Sequence, residues 1–187
     1  MQLSDLNREP FVLVTGLPGS GKTTVAKALA GCCSSTFDVI NLNPREERTT
    51  SFIEVDWEHF PVGFFHYWQW LCDQEFNADS PHCVILEDLL LRLQYPGREP
   101  ALVNVRAVIR HAQAVFTRQN IRVIVTAHDL VGLGLDDLLI WPVPIIQLSP
   151  CETSEHGTPT AFKPKGTVKI PFRDPVELEL PTMAAAA

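Results

Sequence analysis

Short, nearly unbroken apolar runs recur along the first three quarters of the chain, with longer stretches of helical periodicity between them. Phe11 to Val14, Phe37 to Leu42, Cys83 to Leu86, Ile121 to Ala127 and Pro144 to Leu148 read as strands. Runs this continuous belong to strands buried on both faces. The intervening segments carry the other period. Val25 to Leu29 opens a helix, and Phe60, Phe64, Phe65, Trp68, Leu71, Cys72 and Phe76 fall on one helical stripe. Leu102, Val105, Val108, Ile109, Ala112, Val115 and Phe116 define a further helix, with Arg106, Arg110, Gln113 and Arg118 on its polar side, and a short one is predicted over 130–140. Strands alternating with helices predict an α/β fold, a parallel sheet of five core strands sandwiched by helices. The aromatic stripe with Trp57, Trp68 and Trp70 packs a core or serves an oligomer interface.

Beyond Cys151 the texture shifts to Ser, Thr, Gly, Pro and Lys. Segments 160–163 and 167–172 predict a C-terminal β-hairpin at the sheet edge, and the Pro- and Ala-rich end predicts a loose tail. The expected organisation is one domain over 1–175 and a flexible tail over 176–187. The charged run Arg45 to Thr50 predicts an exposed loop.

Composition narrows the class. With 187 residues, 45% hydrophobic and 20% charged, the chain is sized for one globular core. No apolar segment approaches the length of a membrane span, and the first residues lack a secretory leader's pattern, so a cytosol-like compartment is expected. Cys32, Cys33, Cys72, Cys83 and Cys151 show no paired metal-ligand spacing and are expected to be reduced and mostly structural. A net charge of −7 excludes a surface that is basic all over. Any nucleic-acid contact then needs a local patch, or assembly that gathers Lys163, Lys165, Lys169 and Arg173 around one channel.

The chemistry begins directly after the first strand, at Gly16-Leu17-Pro18-Gly19-Ser20-Gly21-Lys22-Thr23-Thr24. This spacing is that of a phosphate-binding loop followed by a helix. The glycines let successive N–H groups turn toward a β-phosphate, and the helix N-terminus adds partial positive charge. Lys22 reaches the β- and γ-phosphates, and the Thr23 hydroxyl ligates Mg²⁺. Gly16, Pro18, Gly19, Ser20, Gly21, Lys22, Thr23 and Thr24 are therefore the candidate nucleotide-binding residues, with ATP and Mg²⁺ as cofactors.

The third strand ends in two acids, Glu87 and Asp88. In an ATP-hydrolysing site the first acid holds the Mg²⁺ shell and the second polarises the attacking water, so by position Glu87 takes the metal side and Asp88 is the base. The usual order is Asp then Glu, and the alternative is a pair that starts the next helix. Thr126 and His128 stand at the polar tip of the fourth strand, where His128 senses the γ-phosphate or is simply solvated. Arg106, Arg110, Arg118, Arg122, Lys163 and Lys165 are candidates for a cation supplied to a neighbouring subunit.

Together the loop at Gly16 to Thr23, the run Val84-Ile85-Leu86-Glu87-Asp88-Leu89, and Ala114 to Arg118 leading into Ile121 to His128 resemble the RecA-like ATPase core. Within that class the chain looks most like the FtsK/HerA group, including the small DNA-packaging ATPases of double-jelly-roll viruses. In that group the strand-four sensor is commonly Gln, where this chain has His128. The resemblance implies that strand four lies between the loop strand and the acid strand. It also implies a homo-oligomeric ring, commonly a hexamer, that hydrolyses ATP to translocate double-stranded DNA. A small-molecule P-loop kinase and a nucleotide-dependent switch protein are the alternatives from other functional classes.

Overall fold

In the computed structural model the residues described are 1–34, 37–41, 69–71, 73–74, 76–77, 79, 81–87, 119–128, 143–149, 161–162, 165–170, 173–180 and 183–184. The strands are β1 (Phe11–Gly16), β2 (Phe37–Asn41), β3 (His82–Glu87), β4 (Ile121–Ala127), β5 (Ile145–Leu148), β6 (Ala161–Phe162), β7 (Gly166–Lys169), β8 (Val176–Leu178) and β9 (Met183–Ala184). One sheet has the order β2-β3-β4-β1-β5-β7-β8. β1 to β5 run parallel, and β7 and β8 extend the sheet antiparallel. The five core strands are those expected from the apolar runs, and β4 does lie between the loop strand and the acid strand.

Helix α1 (Lys22–Cys33) follows β1. Its middle, Ala26-Lys27-Ala28-Leu29-Ala30, is made of strong helix formers, and it buries Val25, Ala26, Leu29 and Ala30 as one face. That face meets Val12 and Val14 of β1, Cys83 and Ile85 of β3, and Ile124 of β4 in one core with Val39, Ile146 and Leu148. Because side chains alternate along a strand, these residues define the α1 side of the sheet. The opposite side of the central strands is also buried, through Phe11, Leu13, Val84, Leu86, Val123 and Val125.

The C-terminal region departs from expectation. The expected antiparallel strands are present at the sheet edge, but among the described residues they are β7 and β8, with β7 also on β5, whereas β6 pairs with β9 as a separate two-stranded sheet. Residues 176–180, expected in a flexible tail, supply the edge strand β8 and bury Leu178 and Leu180 in the core. The reason is amphipathic: Val176-Glu177-Leu178-Glu179-Leu180 alternates, with both leucines turned to the α1 side and both glutamates exposed. The N-terminus docks on the same strand. The Met1 α-amino group donates to the Glu177 carbonyl at 3.2 Å, Glu179 N–H donates to the Met1 carbonyl at 2.8 Å, and Gln2 bridges Glu179. A short 3-10 helix, Leu3–Leu6, then inserts Leu3 and Leu6 beneath α1.

The helices predicted over 102–118 and 130–140, the loop 45–50, and most of the aromatic stripe lie outside the described residues. Of that stripe, Leu71 is fully buried, and the neighbouring Trp70 is half exposed.

Candidate active site

The C-terminal ends of parallel strands gather at one edge of a sheet, and the loop from Gly16 to Thr24, Glu87 and His128 stand on that edge. β1 delivers Gly16, which lies so close to the next turn that a Cβ there would collide with Ser20 Oγ and come within 3.0 Å of the Leu148 carbonyl oxygen. The chain can turn back on itself here only without a side chain. Ser20 N–H closes the turn on the Leu17 carbonyl at 3.1 Å. Gly19 and Gly21 take left-handed φ values of 77° and 86°, which other residues rarely adopt. Gly21 caps α1, whose first-turn N–H groups have no partner within the helix and thus face the loop.

Lys22 is 93% buried in this turn (7% exposed), and its Nζ donates to the Leu17 carbonyl at 3.0 Å. A lysine folded back onto its own loop keeps its ammonium at the cradle, ready to exchange a carbonyl for phosphate oxygens. Ser20 is buried, Thr23 and Thr24 are half-buried, and Pro18 and Gly19 are exposed. The loop predicted from spacing is thus formed as a unit. Thr15 Oγ1 reaches the Ile146 carbonyl at 3.4 Å and ties the end of β1 to β5.

Next along the edge come the acid strand and the polar tip. Leu86 is paired with Val125, and Val14 with Thr126, so Glu87 stands beside Thr126 across the β3–β4 ladder. By alternation Glu87 and Thr126 face the α1 side, the side of the phosphate loop. Glu87 is 2% exposed and Thr126 is 1% exposed. His128, one residue past β4, is half-buried and level with Gly16 in the β1–β4 register. Asp88 lies outside the described residues.

Mg²⁺ suits this donor set. Its hard-oxygen preference matches the Thr23 hydroxyl and the Glu87 carboxylate, and a carboxylate this deeply buried requires a compensating cation or donor. Among the described residues no cluster of three His, Cys, Asp or Glu side chains forms a protein cage.

The opposite end of the strands carries different chemistry. His82 Nε2 lies 3.0 Å from Asp38 Oδ2, linking β2 to β3, and the ring stacks on Phe76 at 4.6 Å. Burial pushes the thiols of Cys33 and Cys83 up from their ordinary range, and Arg122 offsets this only in part. These are inert thiols rather than nucleophiles. Arg122, a candidate trans-acting cation, sits at this end beside Cys33 and is ladder partner to Cys83, so it is remote from the phosphate edge within its own subunit.

Within one subunit, Lys165 and Lys169 stand at opposite ends of β7. Lys165 precedes β7 at the phosphate edge, whereas Lys169 pairs with Ile145 at the far end. Glu177 and Glu179, exposed on the neighbouring strand, alternate with them in sign. Lys163 lies outside the described residues. Among the described residues no helix is long and apolar enough to cross a membrane.

No family model and no curated protein matches this sequence. Among solved structures, one named an ATPase is similar over 98% of this chain and 81% of its own, with a TM-score of 0.55 and 14% identity. The likeness is one of fold: a mixed α/β sheet with a parallel core and antiparallel C-terminal strands. A second structure, PCH-2 of C. elegans, is similar over 81% of this chain at a TM-score of 0.45 and 16% identity. The chain spans 41% of that protein's length.

Proposed function

We propose that this protein is an ATP-hydrolysing P-loop ATPase, and that it works as an oligomeric motor translocating or packaging double-stranded DNA. The observation that carries the hydrolytic reading is the buried Glu87 carboxylate, one strand removed from the formed phosphate loop and facing the same side of the sheet. A buried acid at that place suits an oxygen ligand for Mg²⁺ beside the triphosphate.

In this reading the N-terminus of α1 and the loop N–H groups cradle the β-phosphate, and Lys22 exchanges the Leu17 carbonyl for β- and γ-phosphate oxygens. Thr23 and Glu87 would hold Mg²⁺, which would supply charge neutralisation on the phosphates. Asp88 accepts the proton of the attacking water, and His128 donates toward the γ-phosphate. The motor reading rests on the resemblance of Val84 to Leu89 and Ala114 to His128 to the FtsK/HerA group, and it implies a homo-oligomeric ring, commonly a hexamer. In such a ring, cations from each subunit would line a channel for DNA.

Steady-state ATP hydrolysis with and without long double-stranded DNA tests both levels, with Lys22→Ala as the inactive control. The expected result is turnover that requires Lys22 and rises with DNA. Turnover indifferent to DNA would remove the motor reading and keep the ATPase. Phosphoryl transfer to an added nucleoside or sugar would replace it with a kinase, and tight binding without turnover with a switch protein.

A further inference from the structure

We infer that Arg122 is a positioning residue for ATP binding, gripping from β4 the C-terminal end of α1, the helix whose other end is the phosphate cradle. The inference rests on the ATPase reading above and extends it to the far end of that helix. α1 has no acidic residue in its first turn and no basic residue in its last. Because a helix carries partial positive charge at its N-terminus and partial negative charge at its C-terminus, the first is left open for phosphate and the second has no cation of its own.

β4 supplies that cation. Its neighbours Ile121, Val123, Ile124 and Val125 are buried and apolar, and Arg122 is the one charged residue in the strand. Alternation puts it on the face of Ile124, the α1 side, and the ladder pairs it with Cys83, which lies in the core that α1 covers. Its side chain hydrogen-bonds the thiol of Cys33, the last residue of α1. That thiol also donates to the Asn7 carbonyl at 3.7 Å, so the last turn is gripped from β4 and from the end of the 3-10 helix. With 12 residues α1 is a rod about 18 Å long, and fixing its far end presents the cradle at a set depth over β1. A helix loose at that end would have to be ordered by the ligand, at a cost in affinity.

The experiment compares wild type, Arg122→Met and Arg122→Lys by ATP affinity, by kcat and KM for ATP hydrolysis, and by urea midpoint. Met keeps an unbranched apolar stem and removes the charge, whereas Lys restores the charge. Arg122→Met is expected to bind ATP roughly 3- to 10-fold more weakly, the size of a charge at a partly buried helix end, with KM raised and kcat within about twofold of wild type. Arg122→Lys is expected to recover most of that affinity. A Met variant with a lowered midpoint and wild-type ATP affinity overturns the inference, since the residue would then serve stability alone. Loss of kcat at unchanged affinity and midpoint overturns it in favour of a cation supplied to a neighbouring subunit, and a Lys variant as weak as Met removes the charge argument. Each of these leaves the ATPase reading standing. A wild-type chain that does not bind ATP overturns both.

Discussion

Leu180→Ala separates a load-carrying C-terminal strand from a loose tail. The side chain is 3% exposed and belongs to the core that α1 covers. It also lies in a chain of contacts that ends at the phosphate loop. A Cβ on Gly166 would meet Leu148 Cδ2 at 3.1 Å and Leu180 Cδ1 at 3.3 Å, and a Cβ on Gly16 would meet Leu148 Cβ at 3.1 Å. Removing three buried carbons forfeits about 2.4 kcal/mol of transfer free energy, at about 0.8 kcal/mol per methylene. A residual cavity adds to that, but a site next to an edge strand can partly collapse, so about 2–3 kcal/mol is expected. With a urea m-value of about 2 kcal/mol/M, the midpoint should fall by roughly 1–1.5 M. Tm should drop by about 4–12 °C. Denaturation of the wild type and variant, followed by far-UV circular dichroism, gives both numbers. A midpoint within about 0.2 M of wild type would refute the reasoning, since 0.2 M at that m-value is only about 0.4 kcal/mol, within the range of an ordinary surface substitution.

Three further outcomes follow from the same structure. Gly16→Ala forces a methyl group against the Leu148 carbonyl and Ser20 Oγ, so it should lower nucleotide affinity at least tenfold, whereas Gly166→Ala presses only on the ends of leucine side chains and should retain binding; equal affinities for the two would count against the loop geometry. Thiol labelling with peptide mapping at pH 8 should modify exposed Cys32 before half-buried Cys33 and leave Cys83 protected, and labelling of Cys83 as fast as Cys32 would contradict its burial. Because burial raises both thiol pKa values above those of the unfolded chain, their stabilisation is complete below the ordinary thiol range and is lost as pH climbs above it. Unfolding midpoints measured on the alkaline side should therefore fall with pH.

Much of the core and of the site was legible because it depends on local pattern. Phe11 to Val14 and Cys83 to Leu86 are continuous apolar runs, and a strand covered on both faces has no other composition to use. The phosphate loop was equally plain, since wrapping backbone around a phosphate demands glycines at defined intervals. The C-terminal strand carries its own signal, though a short one closed in by prolines. Val176-Glu177-Leu178-Glu179-Leu180 alternates strictly, and proline at 175 and 181 drew attention to the ends rather than to the pattern between them.

The sequence by itself thus determined the strand and helix periods, the phosphate loop and the presence of an acid at the end of the third strand, because each is written in residues close along the chain. Tertiary structure decided what lies beside what. It set Thr126 against Glu87, which are far apart in sequence and adjacent only because β4 inserts between β1 and β3. It paired β7 with β5 and β8 rather than with β6, and it interleaved Lys165 and Lys169 with Glu177 and Glu179. Strand order and register come from competition among long-range pairings for burial, and no local period encodes the winner.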